Sequence, residues 1–279
     1  MHILNNWPQY FKERHEGLGT TYERFVLHHY FEKLRAYFGV GSVLEVPSFG
    51  MTGVSGINSM WWAGKGIPVS VVDHDEKRIE SIRGVWEEMK LSVDCILSSK
   101  EYDILPFQDN AFDMGWNFAS LSFASDLRLF LRELTRVSKR VIFICIPNRF
   151  NIFAVLRAKA AGSEAGIQTE NTNPHRIKAV MADLQWEERD HGTFDVPPWP
   201  DIAMNKEQLL RKMGLIRLAA QMEKREGNGL CILDYFAGEN SGMEEDISRY
   251  GFLEDLPEII KRYWAHHQFF IFSPKRKAL

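Results

Sequence analysis

The sequence is short of cysteine, has no excess of positive charge, holds no long apolar run and keeps an incomplete glycine turn. Each shortage removes a class of protein. Its three cysteines, Cys95, Cys145 and Cys231, stand far apart, two of them inside apolar strand-like runs. That pattern reads as reduced, buried thiols rather than a disulfide framework or a metal cluster, so no metal is expected and a reducing cytoplasm is. With 34 Lys and Arg against 37 Asp and Glu, the net charge of −3 leaves no electrostatic footprint for nucleic acid. The one basic run, Pro-Lys-Arg-Lys at 274–277, reads as a solvated tail. Apolar residues never run together for the roughly 18 positions a membrane span needs, and the first residues lack a basic stretch followed by an apolar core. Neither a span nor a signal peptide is expected.

What is present is enough apolar material for a core: 45% hydrophobic and 13% aromatic residues over 279 positions. Thr20 and Glu23 read as a capping box opening an amphipathic helix through Leu27, Phe31, Leu34 and Phe38. Strand and helix patterns then alternate. Strands are expected at 42–46, 68–73, 93–97, 111–119 and 140–147, with helices in the 56–66 stretch, from Asp75, and at 126–138. Nearly continuous apolar strands between helices call for a parallel sheet covered on both faces. The fold class is therefore α/β and doubly wound. After Pro147 the regularity fails, with one helix expected at 151–161, until a helix near Asn205; a strand "LIRLAAQM", a helix near 256–264 and a last strand, "HHQFFIFSP", close the chain. The expected division is an N-terminal helical cap (1–39), a core (40–150 and 205–279) and an inserted substrate cover (151–204).

Open parallel sheets bind ligands at the carboxyl ends of their strands. Glu45 ends the first strand, and the stretch "EVPSFGMTGVSGIN" (45–58) follows with Gly50, Gly53 and Gly56, able to supply positive φ and close backbone approach. Asp73 ends the second, where a carboxylate can accept from both hydroxyls of a ribose. Its other reading is a cap for the next helix, a task Asp75 can perform instead.

The stretch "EYDILPFQDNAFDMGWN" (101–117) resembles the class I S-adenosylmethionine-dependent methyltransferases, in the branch carrying an acidic residue, "LPF", and then D-N-x-F-D opening the fourth strand. Leu105, Pro106, Phe107, Asp109, Asn110, Phe112 and Asp113 match that pattern. The resemblance implies a Rossmann-like, mostly parallel seven-stranded sheet with an antiparallel last strand, and S-adenosyl-L-methionine as cofactor. It places Glu101 near the adenine amino group, the Tyr102 amide at the adenine ring and Asn117 beside the transferable methyl. Glu45 would organise the loop or meet the cofactor's amino group; a buried ion-pair role is its alternative. The family's first motif follows its acid with closely spaced glycines, whereas Pro47, Ser48 and Phe49 stand there in this chain. Registered from the helix, the last loop glycine is Gly56, so the loop is longer by about one turn. Pro47, Phe49, Gly50, Met51, Gly53, Asp73 and His74 complete the expected cofactor set.

Methyl transfer from a sulfonium is an in-line displacement that rests mainly on alignment of the acceptor. Where a general base is required, His175, His191 and Asp190 in the expected cover are the candidates. His28 and His29 share the polar side of the first helix and could face the pocket mouth, a solvated face being the simpler reading, and of His266 and His267 strand alternation should bury one. The expected partner is a small-molecule acceptor, not nucleic acid. The alternatives are a non-catalytic binding protein of the same fold and a nicotinamide-dependent oxidoreductase, the latter disfavoured by the absence of G-x-G-x-x-G from the loop.

Overall fold

A computed structural model describes residues 17–48, 56–99, 102–152, 169–196 and 231–275. A seven-stranded sheet in the order β3-β2-β1-β4-β5-β7-β6 organises them. Its strands are β1 (Val43–Glu45), β2 (Val69–Asp73), β3 (Asp94–Leu97), β4 (Phe112–Phe118), β5 (Ser138–Pro147), β6 (Trp186–Phe194) and β7 (His267–Pro274). The pairs from β3 to β5 are parallel, and β7 runs antiparallel between β5 and β6. The family's expected sheet is therefore present.

Successive strand residues point to opposite faces, and the two cores divide accordingly. Val43, Val71, Phe143 and Cys145 pack on one side, beneath α1 (Gly17–Phe38), α2 (Met60–Gly64) and α3 (Glu76–Glu88). Leu44, Val72, Ile144 and Ile146 pack on the other, beneath α4 (Leu127–Val137) and α5 (Pro174–Asp183). Helix starts follow the local chemistry. Asp75 caps α3 by accepting from the Lys77 and Arg78 amides, Asp126 caps α4 from Arg128 and Leu129, and Asn173 precedes Pro174 at α5. The short helices α6 (Ile232–Phe236), α7 (Met243–Ser248) and α8 (Glu258–Lys261) precede β7.

Three expectations change. α1 begins at Gly17, so Thr20 and Glu23 lie inside it rather than forming its cap; the Glu23 carboxylate instead meets His267. Residues 174–194, expected within a cover, form α5 and the edge strand β6. β6 escaped notice because its middle, Glu187 to His191, is polar: an edge strand has a partner on one side only and needs no continuous apolar run. His28, expected on a solvated face, is buried. The helix at 151–161 and the segments at 205–222 lie essentially outside the described residues.

Helix α4 approaches β4 across Gly115. A Cβ at that position would overlap the Ser138 hydroxyl and stand 2.7 Å from Leu134 Cδ1. Gly115→Ala is expected to cost about 1–3 kcal/mol of unfolding free energy, read as a lower urea midpoint; an unchanged midpoint would show that the helix can withdraw freely.

Candidate functional site

The strand order reverses between β1 and β4, which opens a crevice at their carboxyl ends. Polar side chains from β1, β2 and β4 gather there. Glu45, Asp73 and Asn117 are the last or nearly last residues of these strands, and all three are buried.

Asp73 is fully buried, and both of its oxygens are occupied. Oδ1 accepts from the Asp75 amide at 2.8 Å and from Arg78 Nη2 at 2.8 Å, while Oδ2 accepts from the Ser48 hydroxyl at 2.6 Å and from Arg78 Nε at 3.0 Å. Arg78 reaches back from the first turn of α3 because Asp75 fixes that turn. Ser48, held further by its amide on Val72 O at 2.9 Å, lies directly across the end of β2. The start of the lengthened loop is thus anchored to the second strand.

Glu45 accepts from Ser59 Oγ and the Gly56 amide, and Ser59 Oγ in turn accepts from Trp116 Nε1 at 3.1 Å. Burial raises its carboxyl to about 8, against the opposing pull of Ser59, Arg24 and the Gly56 amide. Gly56 has φ +74°, a left-handed turn that lets its amide face back to the strand. Asn117 donates from Nδ2 to Val46 O at 3.3 Å and to Ser120 Oγ. Its Oδ1 is buried with no donor. That oxygen is the open acceptor of the crevice.

The motif that carried the sequence resemblance is held by α4. Glu133 accepts from the Leu105 amide at 2.9 Å, and Arg136 donates to Leu105 O at 3.0 Å, Phe107 O at 2.8 Å and Asp109 Oδ1 at 2.8 Å. The Leu-Pro-Phe turn is therefore scaffold. Just before it, Tyr102 is buried with φ +51° and its hydroxyl lies 2.7 Å from His74 Nδ1, which closes the ends of β2 and β3 together.

A second polar group lies at the carboxyl ends of β5 and β6, where β7 begins. His267 Nε2 is 3.0 Å from Glu23 Oε2 and 3.9 Å from Asp195 Oδ2, and His266 Nδ1 is 2.7 Å from the same Asp195 oxygen. Burial raises Glu23, but the His267 bond and the charges of Arg24 and His266 outweigh it, so its net shift is downward; burial and the Glu23 charge push Asp195 upward. Donor atoms of Glu23, Asp195 and His267 lie within 4.8 Å of one another, close enough to share a cation. Sequence spacing hid these carboxylates, since the three residues come from α1, the turn after β6 and β7. His267 Nδ1 is buried with no partner. A metal on Nε2 would leave an N–H there without an acceptor, so the Glu23–His267 hydrogen bond describes the group better.

The expected site residues divide. Glu45, Asp73, His74, Tyr102 and Asn117 come together at the ends of β1 to β4, with Pro47 buried beside them. Phe49, Gly50, Met51, Gly53 and Glu101 lie outside the described residues. The three candidate bases are elsewhere. His175 is exposed in the first turn of α5, and Asp190 and His191 are exposed in β6, separated from β4 by β5 and β7. His191 Nδ1 engages Glu188 at 2.8 Å. Asp190 and His191, solvated on the edge strand, are set aside as bases, whereas His175 follows the 169–172 turn, whose Asn171 donates to Ala124 O just beyond β4. Arg78, Ser48 and Ser59 were missed; the i, i+5 spacing of Asp73 and Arg78 across a helix cap is the one sequence signal that marks them.

The raised carboxyl of Glu45 has a stability consequence. Between its ordinary value of 4.5 and about 8 the folded chain keeps a proton that the unfolded chain has released. Stability from this group is therefore greatest at the acid end and falls as pH rises through that window, by up to about 1.4 kcal/mol per pH unit. Glu45→Gln is expected to flatten the decline between pH 5 and 8 in urea titrations; parallel profiles would contradict the assignment.

Residues 50–144 match the family described as a methyltransferase domain. Among curated proteins, the chain is 33% identical over 108 residues to a malonyl-[acyl-carrier protein] O-methyltransferase of Erwinia pyrifoliae, a match covering 39% of this chain and 38% of that protein. Among solved structures, it resembles a SAM-dependent methyltransferase from Archaeoglobus fulgidus at TM-score 0.50 and 13% identity, over 90% of this chain and 94% of the other. It also resembles a chain of a Haloferax volcanii complex between the Trm112 methyltransferase activator and a candidate methyltransferase, at TM-score 0.53 and 12% identity over 94% of each. At these identities the structural likenesses speak for the fold, and the family match speaks for the segment that carries β2 to β5. Taken with the strand order and the polar crevice at its switch point, they show a fold similar to that of these methyltransferases, with a methyltransferase-domain match over residues 50–144.

Proposed function

We propose that this protein transfers the methyl group of S-adenosylmethionine to a small-molecule acceptor. The observation that carries the reading is the buried trio Glu45, Asp73 and Asn117 on three adjacent strand ends at the switch point. When bound, the cofactor supplies an electrophilic methyl on a sulfonium; the chain's own residues bind and orient. Two features fit it. Asn117 Oδ1 offers a buried acceptor without a donor, and Gly56 brings a backbone amide to the Glu45 carboxyl. Asp73 takes the ribose hydroxyls in exchange for the Ser48 hydroxyl and one of the Arg78 nitrogens, each a hydrogen-bond donor. The reading assigns Pro47 to the methionine side and His74 and Tyr102 to the adenine side; Phe49, Gly50, Met51, Gly53 and Glu101, expected with them from the sequence, lie outside the described residues.

Acceptor alignment then does most of the catalytic work. A net charge of −3 supports a small molecule over a polyanion as the acceptor. The three cysteines are free and buried, which supports a reducing, cytoplasmic setting. No helix among the described residues is long and apolar enough to cross a membrane.

Calorimetric titration with S-adenosylhomocysteine tests the reading. Saturable binding is expected, and Asp73→Asn should weaken it at least roughly tenfold, the worth of one charge-assisted hydrogen bond. No heat at millimolar ligand would overturn the proposal, and equal affinity in the variant would remove Asp73 from the ribose contact.

A further inference from the structure

A second cavity, of about 600 Å³, lies along α1 on the side facing residues 235–255. Tyr22, Phe25, Tyr30, Trp61 and Tyr235 form its aromatic wall, and His28 lines it among them. Neither Glu45, Asp73, Tyr102 nor Asn117 borders it, so it is separate from the strand-end crevice.

His28 is only 3% exposed, and neither of its ring nitrogens has a hydrogen-bond partner. Burial, assisted by the charges of Arg24 and Lys65, lowers it to about 3, so the ring is neutral near pH 7. A neutral imidazole carries one N–H and one lone pair. Aromatic rings surround it: Phe25 meets it edge-to-face at 5.6 Å and Phe236 at 5.8 Å, while Trp61 and Tyr235 lie tilted at 6.2 and 6.5 Å. A ring face can accept an N–H, but it cannot donate to a lone pair. The nearby phenols are already committed, Tyr22 to Glu254 at 3.0 Å and Tyr235 to Glu244 at 2.6 Å. Among the described residues, the lone pair of His28 therefore has no donor.

The rest of the cavity describes the donor's carrier. Aromatic walls favour a flat ring. Both signs of charge occur among the lining residues, Lys33 and Lys65 against Glu32, Glu244 and Asp255, and the two ammoniums already sit over the Tyr30 and Trp61 rings at 5.4 and 5.5 Å. Glu254 also lines the inner wall: its Oε1 accepts from the Tyr22 hydroxyl and the Val196 amide, its Oε2 is buried without a partner, and burial raises its carboxyl. The volume falls in the range of small-molecule sites, roughly 300–1,000 Å³.

We propose that this cavity is a second small-molecule site, selective for a planar aromatic or heteroaromatic compound that donates one N–H or O–H to His28. It stands independently of the methyl-transfer reading. The same helix carries Arg24, whose Nη1 donates to Asn58 Oδ1 at 2.7 Å, so the site is tied mechanically to the end of the first loop.

The probes are indole, a flat ring with one N–H donor, and 1-methylindole, the same ring without it. NMR titration of the full chain should show saturable indole binding with shifts at Trp61 and Tyr235, and roughly tenfold weaker binding of 1-methylindole. The unprotonated ring nitrogen of His28 should lose its free-lone-pair ¹⁵N shift with indole and keep it with 1-methylindole, a readout that needs no variant. His28→Phe keeps the shape and removes the acceptor, and should bind both probes equally. Failure of both probes to bind, equal affinity of the wild type for both, or an indole preference surviving in His28→Phe would each overturn the proposal. S-adenosylhomocysteine should not displace indole; displacement would merge the two sites and overturn it as well, whereas a chain that binds indole but no S-adenosylhomocysteine would sink only the methyl-transfer reading.

Discussion

A carboxylate taken wholly out of water must have its lone pairs met by donors, and Asp73 meets this condition by drawing three parts of the chain together. Arg78 and the Asp75 amide bring the start of α3, and Ser48 brings the beginning of the first loop. Because Ser48 is three residues beyond Glu45, the strand next door is fixed by the same contact. Glu45 repeats the device with Ser59, which reaches across to Trp116 on β4. The carboxyl ends of β2, β1 and β4 are thus cross-linked by side chains, and the crevice has rigid walls before any ligand arrives. Preorganised walls of this kind are what an alignment-driven reaction requires.

The lengthened first loop takes its meaning from that arrangement. Its entry, Pro47 and Ser48, turns across the end of β2, and its exit at Gly56 returns an amide to Glu45. Both ends are therefore tied to the acids that flank the crevice. Within the proposed function, the Ser48 hydroxyl and Arg78 guanidinium hold the place of the ribose diol on Asp73. The exchange is donor for donor and leaves no carboxylate oxygen unmet.

Much of the core was legible because periodicity and caps act locally. Val43 to Glu45, the Asp75 cap, the helix after Asp126 and the apolar run of β5 are each decided within a few residues, and the structure has them where the pattern puts them. β6 was not legible, since Glu187 to His191 carry polar side chains on an edge strand that packs little on one side. The helix signature at Thr20 and Glu23 misled for a different reason: Glu23 is recruited 244 positions away by His267, and no local rule encodes that pairing. The same holds at the site. Glu45, Asp73 and Asn117 followed from strand ends, whereas Arg78, Ser48 and Ser59 depend on which loops fold back over them. Leu105 to Phe107, the strongest signal in the sequence, proved to be anchorage for α4 through Glu133 and Arg136.

The central claim is that the buried acid on β2 serves the cofactor although the chain itself satisfies it. A crystal structure with S-adenosylhomocysteine bound tests this most directly. The account predicts ribose hydroxyls on the Asp73 carboxylate, with Ser48 displaced and Arg78 retaining one oxygen. Ligand density elsewhere, with Asp73 still closed by Ser48 and both Arg78 nitrogens, would contradict it.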